Sequence, residues 1–189
     1  MTQPRFSAIP LGRPWCQAIQ LSDGRRLLMR PIQPADAKRL QRSFQTLTPQ
    51  EIRMRFMHPM TELSAEFAQR LCTVDGHSAF ALILVEAKPP AKALIAAVGR
   101  LAVDEDGPEG EFAIIVSREV QRQGLGRYLM QQLIDWARER GLQAIYGFIL
   151  SENRPMLALL KSMGFTLGPS DEDIGIELAQ LRLDATGTR

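Results

Sequence analysis

Residues 111–141, EFAIIVSREVQRQGLGRYLMQQLIDWARERG, join an alternating segment to a long amphipathic one through a turn holding two glycines one residue apart. Over residues 111–117, Phe112, Ile114 and Val116 share one face while Glu111, Ala113, Ile115 and Ser117 share the other, which is the period of a strand. Beyond the turn the period lengthens. Leu125, Leu129, Leu133 and Trp136 form one helical stripe, and Gly141 stops it. A helix start carries unpaired N–H groups and a partial positive charge, and glycines remove the side chains that keep an anion at a distance. Residues 121–126, flanked by Arg118, Arg122 and Arg127, therefore predict a phosphate cradle. Two familiar cradles are excluded: no Gly-x-x-x-x-Gly-Lys-Ser/Thr run occurs, and Leu129 stands where the dinucleotide fingerprint needs its third glycine.

Outward from this unit, AIYGFIL (144–150) predicts a buried strand, Asn153 and Pro155 open a helix through Met163, Gly164 stops it, and residues 174–183 predict a final strand. Toward the N-terminus, AFALILVEA and ALIAAVGRLAV are apolar and β-prone, and the break Lys88-Pro89-Pro90-Ala91-Lys92 makes them antiparallel neighbours. Residues 18–30 predict two short strands around Ser22-Asp23-Gly24, because Asp-Gly supplies the positive φ of a tight hairpin. Three helices lie between: one after Pro34, one opened by the capping box Thr48-Pro49-Gln50-Glu51 and ended by Pro59, and one over 64–74 from the spacing of Leu63, Phe67 and Leu71. The order is that of a mixed α/β sheet without repeats. Residues 1–17, with Pro4, Pro10, Gly12 and Pro14 and no period, predict an irregular arm; 18–183 form one domain and 184–189 a flexible tail.

The composition of 189 residues, 45% hydrophobic and 23% charged, suits a globular domain with a real core. Two cysteines and two histidines without paired spacing give neither a disulfide framework nor a metal cluster. The first residues lack a signal-peptide pattern and no apolar run is long enough to span a bilayer, so a cytoplasmic protein without membrane contact is expected. Residues 1–60 carry ten Lys/Arg against three acids and residues 61–189 carry thirteen against eighteen, so the net +2 hides a basic half and an acidic half. With only 6% aromatic residues the chain does not have the make-up of a nucleic-acid binder.

Residues 121–126 match the Gln/Arg-x-x-Gly-x-Gly/Ala pyrophosphate loop of the GNAT acetyltransferases, and the likeness extends further. The 111–141 stretch resembles that family's fourth strand and third helix, and SENRPMLALLKSMGF (151–165) resembles its later segment, in which an Asn opens a helix ending in Gly-Phe. With the strand order, the resemblance covers about residues 24–183. EIRMRFMHPMTELSAEFAQRL and GEFAIIV are also similar to the acetyltransferase portion of bacterial Pat-type protein lysine acetyltransferases.

The resemblance implies a GNAT-like, mostly antiparallel sheet flanked by helices, and acetyl-CoA as the phosphate compound and acyl donor, without a metal. It implies that Arg118, Gln121, Arg122, Gln123, Gly124, Leu125, Gly126 and Arg127 hold the pyrophosphate, largely through backbone amides, and that Asn153 caps its helix while touching the pantetheine or thiol. The pantetheine would run along Ile114, Ile115 and Val116, with the N–H of Ile115 or Val116 free to polarise the thioester carbonyl if the strand splays there. Glu111 matches the Pat-type general base, which an ammonium of pKa about 10.4 requires. The implied acceptor is a protein lysine ε-amine. A polyamine, aminoglycoside or amino acid is the alternative within the enzyme class, and a non-catalytic acyl-CoA sensor or interaction module the alternative outside it.

One departure stands out: Leu160 occupies the position where many GNAT enzymes place a tyrosine that protonates the CoA thiolate. Tyr128 and Tyr146 read as core or sheet residues with a polar tip. Cys72, on an apolar helix without a histidine partner, reads as a structural thiol, which leaves direct attack in a ternary complex. His58 and His77 read as loop or helix-end residues, and Asp104, Glu105, Asp106 and Glu109 as a turn that is solvated or attracts a cationic substrate.

Overall fold

A computed structural model describes residues 5–170 and 174–183. Within them lie nine strands: β1 (Phe6–Pro10), β2 (Gln17–Leu21), β3 (Arg26–Pro31), β4 (Ala79–Glu86), β5 (Ile95–Val103), β6 (Glu109–Val116), β7 (Ala144–Leu150), β8 (Thr166–Pro169) and β9 (Ile176–Arg182). The helices are α1 (Ala37–Phe44), α2 (Pro49–Phe56), α3 (Ala65–Cys72), α4 (Leu125–Glu139) and α5 (Arg154–Ser162). The strands form one sheet in the order β1-β2-β3-β4-β5-β6-β7-β9-β8. Every neighbouring pair is antiparallel except β6 and β7, which are parallel.

Both faces of the sheet are covered. Along β4, Phe80, Leu82 and Leu84 enter the core beneath α4 and α5, while Ala81, Ile83 and Val85 enter a second core beneath α1, α2 and α3. That explains why β4 reads as a continuous apolar run although the strand is antiparallel to its neighbours. The α4 stripe Leu125, Leu129, Leu133 and Trp136 is buried on the first face, with Trp136 stacked on Phe80 at 4.9 Å between ring centroids. α2 opens on its capping box, Glu51 N–H donating to Thr48 Oγ1 at 3.2 Å and Thr48 N–H to Glu51 Oε2 at 2.8 Å.

Two expectations are corrected. The arm over residues 1–17 is not irregular: Phe6–Pro10 pairs with β2 in register from Phe6↔Leu21 to Pro10↔Gln17, and Trp15 packs edge-on against Phe80. Pro10 is tolerated because β1 is an edge strand, where a missing N–H costs no ladder bond. The chain also makes a strand at Thr166–Pro169, at the other edge, which a four-residue Gly-Pro segment does not announce. The first four residues of the arm and the tail 184–189 lie outside the described residues.

The sheet's one parallel junction is short. β6 pairs with β7 only from Glu109↔Ala144 to Glu111↔Tyr146; beyond it β7 follows β9 and β6 follows β5. At the point of parting, a Cβ on Gly147 would lie 2.8 Å from the Phe112 ring and 2.9 Å from the Phe112 carbonyl oxygen. Glycine thus lets the Phe112 ring cross between the diverging strands. Gly147→Ala is expected to cost about 1–3 kcal/mol, the range for overpacking. A denaturant midpoint equal to that of the wild-type chain would show that the strands part for another reason.

Candidate active site

The parting leaves one edge of β6 without a neighbouring strand from Phe112 onward. Ser117 N–H donates to Ala96 O at 2.9 Å, and Val116 pairs with Ala97, so Val116 sits in a wide pair whose own N–H and C=O turn away from β5. By the same alternation Ile114 turns its N–H outward, whereas that of Ile115 is spent on β5. Of the two expected oxyanion donors, then, only Val116 has an amide on the free edge. Its carbonyl accepts from Gln121 Nε2 at 2.8 Å.

Past β6 the chain makes a 3-10 turn at Arg118–Val120 and then two left-handed residues, Arg122 (φ 60°) and Gly124 (φ 91°), before α4 begins. This winding turns successive amides inward and brings the helix start to the end of the free edge. A groove of about 1590 Å³ runs from here between α4 and α5. Ile114, Ile115, Val116, Arg118, Gln121, Arg122, Gln123, Gly124, Leu125, Gly126, Arg127 and Asn153 all border it. Leu125 is buried and contributes backbone only. Asn153 caps α5, its side chain accepting from Met156 N–H at 3.3 Å. An added Cβ at Gly126 would meet Leu159 at 3.5 Å and Val116 at 3.7 Å, so bare backbone there keeps the groove open between its two walls.

Glu111 is not in that wall. It lies on the opposite face of β6, shared with Ile115, and is exposed to solvent. Its carboxyl is nevertheless pushed above the ordinary range, chiefly by desolvation and additionally by Asp104, with Arg55 of α2 pulling the other way. Arg55 borders the groove and so connects it to Glu111. The Tyr146 hydroxyl donates to Asp104 at 3.0 Å, and burial with that carboxylate pushes its pKa up to about 12.

The remaining expected groups fall into structural roles. Cys72 is fully buried and desolvation raises its thiol to about 11, which removes it as a nucleophile. Leu160 is fully buried in the core. Tyr128 borders the groove, with its hydroxyl bonded to Gln17. His58 and His77 lie in exposed loops, His77 beside Arg140 at 3.0 Å. Glu109 accepts from Gln180 at 3.4 Å, so the acidic turn is partly tied into the sheet. Among the described residues no cluster of three His, Cys, Asp or Glu side chains could hold a metal, and no helix is long and apolar enough to cross a membrane.

Several groove residues escape a reading of the sequence. Arg5 and the first residue of β1, Phe6, border it, because Arg5 N–H donates to Gln123 O at 3.1 Å and Phe6 packs on Tyr128. Glu51 uses its second oxygen to accept from Arg118 N–H at 2.8 Å, and Glu152 meets Arg53 at 2.8 Å. The capping box signalled Glu51, but not its reach across the groove.

A splayed parallel pair ending in a glycine-rich helix start is matched by a family model described as an acetyltransferase (GNAT) domain, over residues 26–166. The chain belongs to the GNAT acetyltransferase family. An acetyltransferase of Pseudomonas aeruginosa is 29% identical over 168 residues, 89% of this chain and 88% of that protein. The fold is shared with the GNAT domain of S. lividans PAT, at a TM-score of 0.78 and 24% identity over 92% of this chain and all of that one. It is also shared with the spermidine N-acetyltransferase of Vibrio cholerae in complex with CoA and spermine, at a TM-score of 0.64 and 17% identity over 82% of this chain and 95% of that one. The chain is accordingly an acyl-CoA-dependent N-acetyltransferase.

The residues present suit that donor: a free strand edge for an extended amide chain, inward amides at a helix start, and Arg5, Arg118, Arg122 and Arg127 around the groove for its phosphates. Because the Gly126 contacts are ordinary in length, Gly126→Val is expected to fold while its side chain fills the space between Val116 and Leu159. Its affinity for CoA should fall roughly tenfold or more, equivalent to about 1.4 kcal/mol, by titration calorimetry. Wild-type affinity in that variant would remove the groove as the coenzyme site.

Proposed function

We propose that this chain transfers an acetyl group from acetyl-CoA to a protein lysine ε-amine by direct attack, with Glu111 as general base. The observation that carries this reading is a free, groove-facing Val116 amide on the same short strand as Glu111, whose carboxyl lies above its ordinary range between Arg55 and Asp104. The donor supplies a thioester carbonyl activated for attack; the rest of the chemistry belongs to the chain. The amides of residues 123–126 and the start of α4 hold the diphosphate, and the free edge of β6 orients the pantetheine as a further strand would be held. Val116 N–H is the donor for the developing oxyanion, a position where one hydrogen bond is worth about 3–4 kcal/mol.

Glu111 takes the amine proton, directly or through water. Its raised pKa brings it nearer the amine's, and the acidic turn beside it favours a cationic acceptor. Support for a protein lysine comes from the Pat-like segments around residues 51–71 and 110–116 and from the shared fold with the PAT domain. The fold shared with a spermidine acetyltransferase supports a second reading, a small polyamine acceptor. Turnover of acetyl-CoA across lysine peptides, intact proteins, polyamines and aminoglycosides separates the two, and thermal stabilisation by CoA without thiol release in any arm would replace both with a sensor.

Glu111→Gln should bind CoA normally yet lose about a hundred- to ten-thousandfold in kcat/KM at neutral pH. Only the ionised carboxylate is a base, so the wild-type rate should fall as pH drops through a pKa above the usual carboxylate range, and the variant should lack that limb. An unchanged rate and profile would take Glu111 out of the mechanism.

A further inference from the structure

On the face of the sheet covered by α1, α2 and α3, a second cavity of about 60 Å³ lies beside the acyl end of the groove. Ile115 and Arg55 border both spaces, so the cavity adjoins the groove next to Val116. The walls are mainly apolar, with Phe44, Leu63 and Leu71 among them, yet two guanidinium groups line the cavity, Arg55 and Arg100. No acidic side chain borders it. Arg100 donates one bond, to Leu71 O at 3.0 Å. Among the described residues the Arg55 guanidinium has no hydrogen bond or ion pair, and lies over the Phe56 ring at 4.8 Å. Glu111 influences Arg55 without forming an ion pair with it. Burial and the like charge of Arg100 hold the Arg55 pKa down to about 10, the mark of cations short of a counter-ion.

Two arginines, close enough to feel each other's charge, in the wall of a small apolar space match a carboxylate, which arginine binds in a bidentate, charge-assisted way. A water-sized group occupies about 10–15 Å³ of such space, so the cavity takes roughly four to six heavy atoms. That is the size of a malonyl or succinyl tail and too small for a fatty chain. We propose that the Arg55–Arg100 pocket receives a substrate carboxylate, foremost the terminal carboxylate of a short dicarboxylic acyl group on the CoA donor.

The transfer is otherwise that of the acetyl group. The acyl carbon exchanges its C–S bond for a C–N bond, the attacking amine's proton passes to Glu111, and the sulfur leaves as thiolate, which takes a proton from solvent. The terminal carboxylate is unchanged. The inference rests on the reading of the groove as the acyl-CoA site.

The test compares succinyl-CoA with butyryl-CoA, of equal carbon number without the charge, in binding by calorimetry and in kcat/KM, for the wild-type chain, Arg55→Met and Arg100→Met. A second arm, with acetyl-CoA as donor, compares L-lysine with cadaverine, which lacks its carboxylate. Binding of CoA alone controls for the groove and for folding of each variant. A preference for succinyl-CoA of about tenfold or more that both variants lose, with CoA affinity kept, supports the donor as the source of the carboxylate. A preference confined to the lysine arm, and lost in both variants, supports the same pocket with the acceptor as source. Equal use of charged and uncharged partners in both arms, or a preference that survives both substitutions, overturns the pocket. An altered pH profile in Arg55→Met without a change in preference also overturns it, since Arg55 would then serve Glu111. Failure of wild-type protein to bind CoA would instead overturn the groove itself.

Discussion

The structure turns on the place where β6 and β7 stop pairing. A strand edge carries N–H and C=O groups that cannot remain buried without partners, at a cost of about 1–3 kcal/mol for each group left unsatisfied. The chain supplies one partner itself, Gln121 Nε2 to Val116 O, and leaves the Val116 amide facing the groove. The surrounding elements follow from that need. α5 lies alongside the gap, α4 begins at its end, Gly126 holds back a side chain that would fill it there, and Gly147 makes room for the Phe112 ring where the strands part. A site for an extended amide chain is therefore what remains when a sheet is forced to divide between two antiparallel halves joined by three residue pairs.

α2 makes the two sides of this gap depend on each other. Glu51 spans from its own capping box to the Arg118 amide beyond β6, and Arg53 reaches Glu152 beyond β7. The second link is half-exposed on both partners and contributes about 0–1 kcal/mol at most, so it guides more than it holds. The helix is held in place by Ile52 and by Phe56, which packs between Phe44 and Phe67. Arg55 follows from the same helix and projects toward Glu111 and Arg100. Any shift of α2 that widens the groove thus also changes the field at the carboxylate.

What the sequence discloses is whatever neighbouring residues decide among themselves. The 111–117 alternation, the Thr48 capping box, the Gly124 helix start and the Asn153 cap are local bargains between side chain and adjacent backbone, and they reappear in place. β1 stays hidden because its partner strand decides it: FSAIP alternates only weakly, and its value lies in covering the edge of β2. β8 is likewise made by β9. The choice between Ile115 and Val116 cannot be read from residues 111–117, since both alternate correctly; it is fixed by which of them faces β5, a matter of pairing with residues 97 and 98. Arg55 and Arg100 come from a helix and a distant strand, so their meeting has no trace in spacing.

The burial of Leu160 bears on how the two proton transfers share the barrier. With Tyr128 bonded to Gln17 and Tyr146 to Asp104, neither described tyrosine is left free to protonate a departing thiolate. The need is unequal. At neutral pH, removing a proton from an ammonium of pKa about 10.4 costs about 4–5 kcal/mol, whereas releasing a thiolate whose conjugate acid has a pKa near 8.5 forgoes only about 2 kcal/mol relative to the thiol. Of the two transfers, a positioned base for the amine therefore has more to contribute than an acid for the thiolate. Leu160 then serves the packing of α5 against the sheet, which in turn sets the width of the groove that Val116 borders.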